Sequence, residues 1–277
     1  MCKQCGCGEG GRVQINGCDA GAHTHGHEHA PHHHTGELNI PLLDANARQA
    51  ERNRGYFEAK NIGVVNIFSS PGSGKTTLIG ETVRRLAGNH RIAVIVGDLA
   101  TDNDAKRLQQ TGVPVIQITT GTMCHLDAGM IAEALKQLDT DHLDLLIIEN
   151  VGNLVCPADY DLGEALRIVL LSTTEGEDKP LKYPPMFHTA DIAVITKTDI
   201  AEAAGFDRRQ ALASLEKIAH HAAVCEVSAR TGQGMDAWCD ELVHALSHKT
   251  AAFSHTHHSP GELDKPPRKA TMRKNVP

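Results

Sequence analysis

The stretch SSPGSGKTT, Ser69 to Thr77, constrains this chain more than any other. It stands between an aliphatic run, VVNIF from Val64, and the helix-period segment KTTLIGETVRRLA. A strand that turns through glycines into a helix gathers backbone N–H groups at one point, with the positive end of the helix behind them. Gly72 and Gly74 let the backbone turn toward an anion without side-chain clash. The stretch therefore reads as a phosphate-binding loop, in which Gly72, Ser73, Gly74, Lys75, Thr76 and Thr77 surround the phosphates. Lys75 reaches the terminal phosphates and the Thr76 hydroxyl is placed for Mg²⁺. The general pattern has a glycine five residues before Gly74, and this chain has Ser69 there.

The rest of the chain repeats the same alternation. After PLLDANARQAERNRGYFEAK, a helix over residues 41–60 with Leu43, Ala47, Ala50 and Phe57 on one face, short aliphatic runs alternate with helical segments. IAVIV, VPVIQIT, DLLIIEN, ALRIVLLST, DIAVITKTD and AAVCEVSA read as strands. DAKRLQQ, HLDAGMIAEALKQL, FDRRQALASLEKIAHH and MDAWCDELVHALSHK read as helices. This is an α/β fold with a mostly parallel, doubly wound sheet covered on both faces. Hydrophobic residues are 40% of the chain but aromatics only 3%, so the core has to be aliphatic.

A formal charge of −7 lacks the basic face of a nucleic-acid binder. No early apolar stretch resembles a signal peptide, and no run approaches the roughly 18 apolar residues of a membrane span. The expectation is a soluble cytoplasmic protein with neither nucleic acid nor membrane as partner. In a reducing compartment the eight cysteines are thiols, and clustered ones are candidates for metal or redox chemistry.

Two further loops bear on the nucleotide. TKTD, Thr196 to Asp199, closes a predicted strand far downstream of the phosphate loop. A carboxylate there accepts two hydrogen bonds from the N1–H and exocyclic amine of guanine, which adenine cannot offer. TKTD resembles the NKxD element of GTPases, with Lys197 and Asp199 in place and Thr196 standing for Asn. CEVSA, ending at Ser228 and Ala229, resembles the GTPase loop whose backbone helps hold the base. GDLATDNDA and ENVGN close two other strands and end on the same sheet edge. Asp98 and Glu149 are candidates for Mg²⁺, and Asp104 for orienting the attacking water. For Asp102 and Asp104 the alternative is helix capping.

The ends are unlike the middle. Residues 1–37 are rich in Gly, His and Cys and read as a flexible metal-binding tail, 38–249 as the nucleotide-hydrolysing domain, and 250–277 as a disordered tail. MCKQCGC places Cys2, Cys5 and Cys7 where three thiolates on one flexible loop can converge on a single ion. Square-planar geometry there would favour Ni²⁺ and tetrahedral geometry Zn²⁺. His23, His25, His27, His29, His32, His33 and His34 are dense enough to bind several ions with modest order and read as a low-specificity metal store.

SSPGSGKTT, GDLATDNDA, GTMCHLDA and ENVGNLVCP, in this order, resemble the HypB family, GTPases that deliver nickel during maturation of nickel–iron hydrogenase. MCKQCGC resembles the CxxCGC nickel site of some members. The match spans about residues 1–8 and 40–247. The resemblance implies a P-loop NTPase of the SIMIBI-like GTPase type that forms a homodimer on binding GTP. It implies GTP, Mg²⁺ and Ni²⁺ (Zn²⁺ as the other candidate) as cofactors. The partners implied are other hydrogenase maturation proteins and the hydrogenase large-subunit precursor. Carried over by motif, ligands for nickel or zinc fall on Cys124 and His125 of GTMCH and on Cys156 of NLVCP. Without the resemblance, Cys124 and Cys156 read as small buried hydrophobes. The functions implied are slow GTP hydrolysis used as a timer and nickel transfer. The alternatives are a urease-type nickel accessory GTPase, or a nickel or zinc store with an incidental GTPase.

Overall fold

The computed structural model describes residues 13–19 and 39–250. In chain order the strands are β1 (Gln14–Ile15), β2 (Cys18–Asp19), β3 (Gly63–Phe68), β4 (Ile92–Asp98), β5 (Val115–Thr119), β6 (Leu145–Glu149), β7 (Leu166–Ser172), β8 (Ile192–Thr196) and β9 (Ala223–Glu226). The helices are α1 (Asn39–Lys60), α2 (Lys75–Leu86), α3 (Asn103–Gln109), α4 (Ala128–Leu135), α5 (Lys179–Lys182), α6 (Pro184–His188), α7 (Arg208–Ala219) and α8 (Met235–Lys249). The nine strands form one sheet in the order β2-β1-β5-β4-β6-β3-β7-β8-β9, parallel from β5 to β9. The α/β, mostly parallel P-loop architecture read from the sequence is the observed one. No helix among the described residues is long and apolar enough to cross a membrane.

Strand periodicity sorts the core. In β4, Ile92, Val94 and Val96 face the layer of α2, α3 and α8, while Ala93 and Ile95 face the opposite layer, with α1 and α4. In β3, Val65 and Ile67 take the first side and Val64 the second. The single tryptophan, Trp238 of α8, is fully buried and donates its indole N–H to Thr82 Oγ1 of α2 at 2.8 Å.

Helix α1 departs from the face expected of it. Ala47 is exposed and Leu43 only half-buried; the buried stripe is Asn46, Ala50, Asn53 and Phe57. Two asparagines lie inward because loop backbone there needs partners. Asn46 Oδ1 accepts Ala128 N at 2.8 Å and its Nδ2 donates to Asp161 O at 2.8 Å. Asn53 Nδ2 donates to Ala128 O at 2.9 Å and Leu162 O at 3.0 Å. Counting apolar residues alone misses a helix whose inner face is a clamp for loops.

The boundary drawn at residue 37 also needs correction. Within the segment read as a tail, β1 and β2 form a hairpin, and β1 pairs antiparallel with β5. Its turn is Asn16-Gly17, with φ of 48° and 78°, the pairing that a two-residue hairpin turn demands. Ile15 is buried against the α1/α4 layer, and Asn16 exchanges hydrogen bonds with the Gln117 backbone. The signal, Asn-Gly, was present in the sequence and was masked by the glycine-rich composition around it.

Replacing Asn53 by leucine should strand the carbonyls of Ala128 and Leu162. The expected loss is about 2–4 kcal/mol, read as a lower urea midpoint with unchanged m-value. A loss below about 0.5 kcal/mol would mean those carbonyls do not depend on the clamp.

Candidate nucleotide and metal site

The chain runs from β3 outward to β4 and β5, returns to lay β6 between β4 and β3, then continues through β7 on the other side. Such a switch in direction opens a crevice at the carboxyl ends of the strands. The phosphate loop leaves β3 there, and Glu149 ends β6 beside it, in register with Ile67 and Val96.

Gly72 and Gly74 take φ of 73° and 100°, left-handed values that side chains other than glycine resist. Ser69, the departure from the usual pattern, is fully buried. Its Oγ accepts Lys75 Nζ at 2.8 Å, accepts the Ser73 hydroxyl, and donates to Ser70 O at 2.7 Å. The hydroxyl anchors the lysine inside the loop. Burial lowers the Lys75 ammonium below the ordinary lysine value, against the pull of Glu149, Asp104, Glu175 and Asp98.

Glu149 is 2% exposed. Its Oε1 accepts Thr76 Oγ1 at 2.8 Å, and its Oε2 has no hydrogen-bond partner. Burial pushes this carboxyl up to about 7, against the opposing pull of Lys75 and the Thr76 hydroxyl. A buried carboxylate oxygen without a partner, beside a hydroxyl, is a hard-oxygen donor set that fits Mg²⁺.

Asp98 and Asp104 act electrostatically on both Lys75 and Glu149, so both belong to this edge. Asp98 also holds its own loop: its Oδ1 accepts Ala100 N at 2.9 Å and Thr101 N at 2.8 Å. Asp104 lies in the first turn of α3, 3.8 Å from Arg107. Asp102 occupies the N-cap position without a capping bond and pairs with Lys106 at 2.9 Å.

The loop of Thr196 to Asp199 grips the glycine-rich loop from the other side. Thr196 Oγ1 donates to Ser73 O at 2.8 Å, so the residue standing for Asn ties the two loops. Lys197 takes φ 61°, and its Nζ donates to Gly72 O at 2.7 Å. Thr173 Oγ1 holds the Lys197 carbonyl at 2.9 Å in this uncommon conformation. Asp199 is exposed in the 3₁₀ turn Thr198–Ile200. Thr198 N bonds Val227 O at 3.2 Å, which seats the loop of Ser228 and Ala229 beside it. Ser228 is buried and closes its own turn through Thr231 N and Gly232 N.

The sequence places Cys124 and His125 at the start of a helix, but neither starts one. Helix α4 begins at Ala128, with Asp127 capping Met130 N at 2.8 Å, and both residues sit in the preceding loop. The His125 ring is buried and stacks on Tyr160, centroids 3.8 Å apart. Burial lowers its pKa against the pull of Asp127, which favours the neutral imidazole that binds metals. Its Nδ1 has no hydrogen-bond partner. Cys156 opens a 3₁₀ turn, Cys156–Asp159. Cys124 and Cys156 are half-buried rather than core residues. Burial raises the Tyr160 phenol, and the charge of Asp127 adds to the rise. Tyr160 was not singled out from the sequence, where it is one aromatic in a polar loop. Yet no three His, Cys, Asp or Glu side chains among the described residues come together to hold a metal ion. Among the described residues, Cys124, His125 and Cys156 therefore do not form a three-ligand group. The corresponding expectations for Cys2, Cys5, Cys7 and the histidines at 23, 25, 27, 29, 32, 33 and 34 lie outside the described residues.

A buried polar chain joins these loops. Arg167 donates to Pro157 O at 3.1 Å and Ala158 O at 3.3 Å, next to Cys156, and lies 3.2 Å from Glu164. Glu164 Oε1 accepts Asn66 Nδ2 at 3.2 Å, and Asn66 Oδ1 accepts Asn150 Nδ2 at 3.2 Å. Asn150 Oδ1 takes Leu126 N at 3.3 Å and Val151 N at 2.9 Å. Asn153 Nδ2 donates to Cys124 O at 3.2 Å. A Cβ on Gly152 would meet the Pro71 backbone at 3.1 Å. ENVGN thus touches the phosphate loop at Gly152 and the cysteine loop at Asn150 and Asn153.

The family pattern described as "CobW/HypB/UreG, nucleotide-binding domain" matches residues 63–226, more than half of the chain. The Escherichia coli (strain K12) "Hydrogenase maturation factor HypB" is 42% identical over 284 residues, covering 87% of this chain and 98% of that protein. The chain belongs to the HypB family. A "Probable hydrogenase maturation factor HypB" of Methanocaldococcus jannaschii is 42% identical, covering 74% of this chain and 93% of its own length. Among solved structures, HypB from Helicobacter pylori in complex with nickel is 38% identical with a TM-score of 0.70. That likeness covers 78% of this chain and 99% of the other. The HypB family is thus represented among the relatives by a structure that carries nickel.

The thiols separate by environment. Burial pushes Cys225 and Cys239 up to about 11, so at about pH 7.5 only about one in three thousand is thiolate. An alkylating reagent should label Cys156 in the folded chain and leave Cys225 and Cys239 until denaturant is added, read by peptide mass spectrometry. Equal labelling of Cys225 would contradict that assignment.

Proposed function

We propose that this chain is a GTP-hydrolysing nickel metallochaperone that helps insert nickel into a nickel–iron hydrogenase precursor. The observation that carries the reading is the ENVGN segment. It runs from Glu149 at the nucleotide crevice to Asn153 on the Cys124 carbonyl. A change at the phosphates that moves Glu149 or Pro71 moves the cysteine loop with it. The relatives named as hydrogenase maturation factors, and the one solved with nickel, support the choice of metal and of destination.

In this mechanism GTP phosphates lie on the backbone of Gly72 to Thr77. Lys75 balances the charge that builds on the β- and γ-phosphates. Asp199 reads guanine. Thr76 and Glu149 would hold Mg²⁺, with Asp98 near, and the ion would supply charge neutralisation at the phosphates. Asp104 orients the water whose oxygen bonds the γ-phosphorus as the β–γ bridge breaks, giving GDP and phosphate. Turnover is slow, as a timer requires.

GTP binding brings two copies together as a homodimer. Cys124, His125 and Cys156 do not form a three-ligand group within the chain, so a second copy is the natural source of the remaining donors. Nickel is the cargo, with zinc as a second ion at this site. Cys2, Cys5 and Cys7 hold it at the N-terminus and the histidine run stores it. Transfer proceeds to other maturation proteins and the large-subunit precursor, in the cytoplasm.

Two experiments test this. Nickel release to a chelator should depend on whether GTP or GDP is bound, and the dependence should vanish in Cys124→Ala/Cys156→Ala. Release indifferent to nucleotide in the unaltered chain would remove the proposed coupling. Asp199→Ala should weaken GTP binding about 100-fold and ATP binding little, measured by titration calorimetry. An unchanged GTP-to-ATP ratio would exclude base reading by this carboxylate.

A further inference from the structure

We propose that His244 and His248 form a two-histidine chelate for a tetrahedral divalent transition-metal ion of the zinc type, on the exposed face of α8. Residues four apart on a helix lie one above the other on the same face. Both side chains are exposed, and their Nε2 atoms share a 3.3 Å hydrogen bond, whose proton a metal ion would replace, with ring centroids 4.5 Å apart. Two imidazole nitrogens on one ion at about 2.0–2.1 Å, separated by that distance, subtend about 104–111° at the metal. That is the tetrahedral angle. A 90° arrangement would bring the nitrogens to about 2.9 Å.

The helix holds the pair rigidly. Leu242 and Leu246 are buried on the opposite side, in the layer of α2 and Trp238. The last turn is pinned, with Thr250 N bonded to Leu246 O at 2.8 Å and Ser247 Oγ to His244 O at 2.6 Å. Lys249, the nearest cation in sequence, is drawn to Asp191 at 3.3 Å. The carboxyl end of the helix favours positive charge. The spacing is that of the two histidines in the HExxH zinc motif, but Ala245 stands where that motif has its glutamate. The pair can therefore hold an ion without a general base beside it, and the site binds rather than hydrolyses. The other histidine group, His188, His220 and His221, makes edge contacts with centroids 5.5 and 5.6 Å apart, and His188 Nδ1 is directed to Ile218 O at 3.3 Å.

The test is histidine carbethoxylation of the full chain, followed residue by residue by peptide mass spectrometry, with Zn²⁺ alone as probe. Zn²⁺ added beyond the capacity of the stronger thiol sites should slow modification of His244 and His248 together by about tenfold or more, because bound imidazole has no free nitrogen pair. A chelator should reverse the effect. His244→Ala should return His248 to its unprotected rate, and His248→Ala should do the same for His244. Both residues are exposed, so neither variant threatens folding, and circular dichroism checks that. Protection of one histidine that survives loss of the other would overturn the chelate. So would absence of protection at either residue when the chain is otherwise saturated with Zn²⁺.

Discussion

Asn66 is the one polar side chain in the central strand β3, and it is completely buried. An amide in that position has to find its partners inside the fold. It finds Glu164 on one side and Asn150 on the other. Glu164 is itself buried, with its carboxyl raised by burial against the pull of Arg167, 3.2 Å away. Because each member of a buried polar network depends on the next, the chain fixes loops that sequence places far apart. It sets the turn after Cys156, the backbone at Leu126 and the segment after Glu149 in one frame.

That frame ties the loops after β3 and β6 to the segment of Cys124. β3 and β6 are neighbours in the sheet, and each ends in a functional loop. The phosphate loop follows β3; ENVGN follows β6 and passes close under Pro71. The hydroxyls of Ser69 and Thr76 bind Lys75 and Glu149 at the same edge, so opposite charges sit buried within one crevice. Such burial is tolerated where each group retains a partner, and Glu149 Oε2 is the oxygen left without a hydrogen-bond partner. Helix α1 completes the arrangement from outside the sheet, where Asn46 and Asn53 hold the start of α4 and the loop at Asp161.

Much of this was legible in the chain itself. The seven parallel strands and the glycine-rich loop after β3 follow from periodicity and from residues whose chemistry is local. The errors have a common cause. The hairpin at Asn16-Gly17 was lost because composition outweighed a two-residue turn signal. The inner face of α1 was misread because its buried positions include asparagines that serve loops more than 70 residues away. Cys124 and His125 were placed at a helix start because Asp127, the true cap, lies inside the same amphipathic pattern.

By itself the sequence determined the class of fold and the glycine-rich loop between β3 and α2. These depend on short spans, where spacing along the chain equals spacing in space. Only the tertiary structure decided that Tyr160 stacks on His125, that Arg167 holds the turn of Cys156, and that Asn153 reaches Cys124. It also decided that the three expected ligands do not meet within one chain. Contacts between distant segments depend on how the strands are ordered in the sheet, and no local pattern of residues encodes that order.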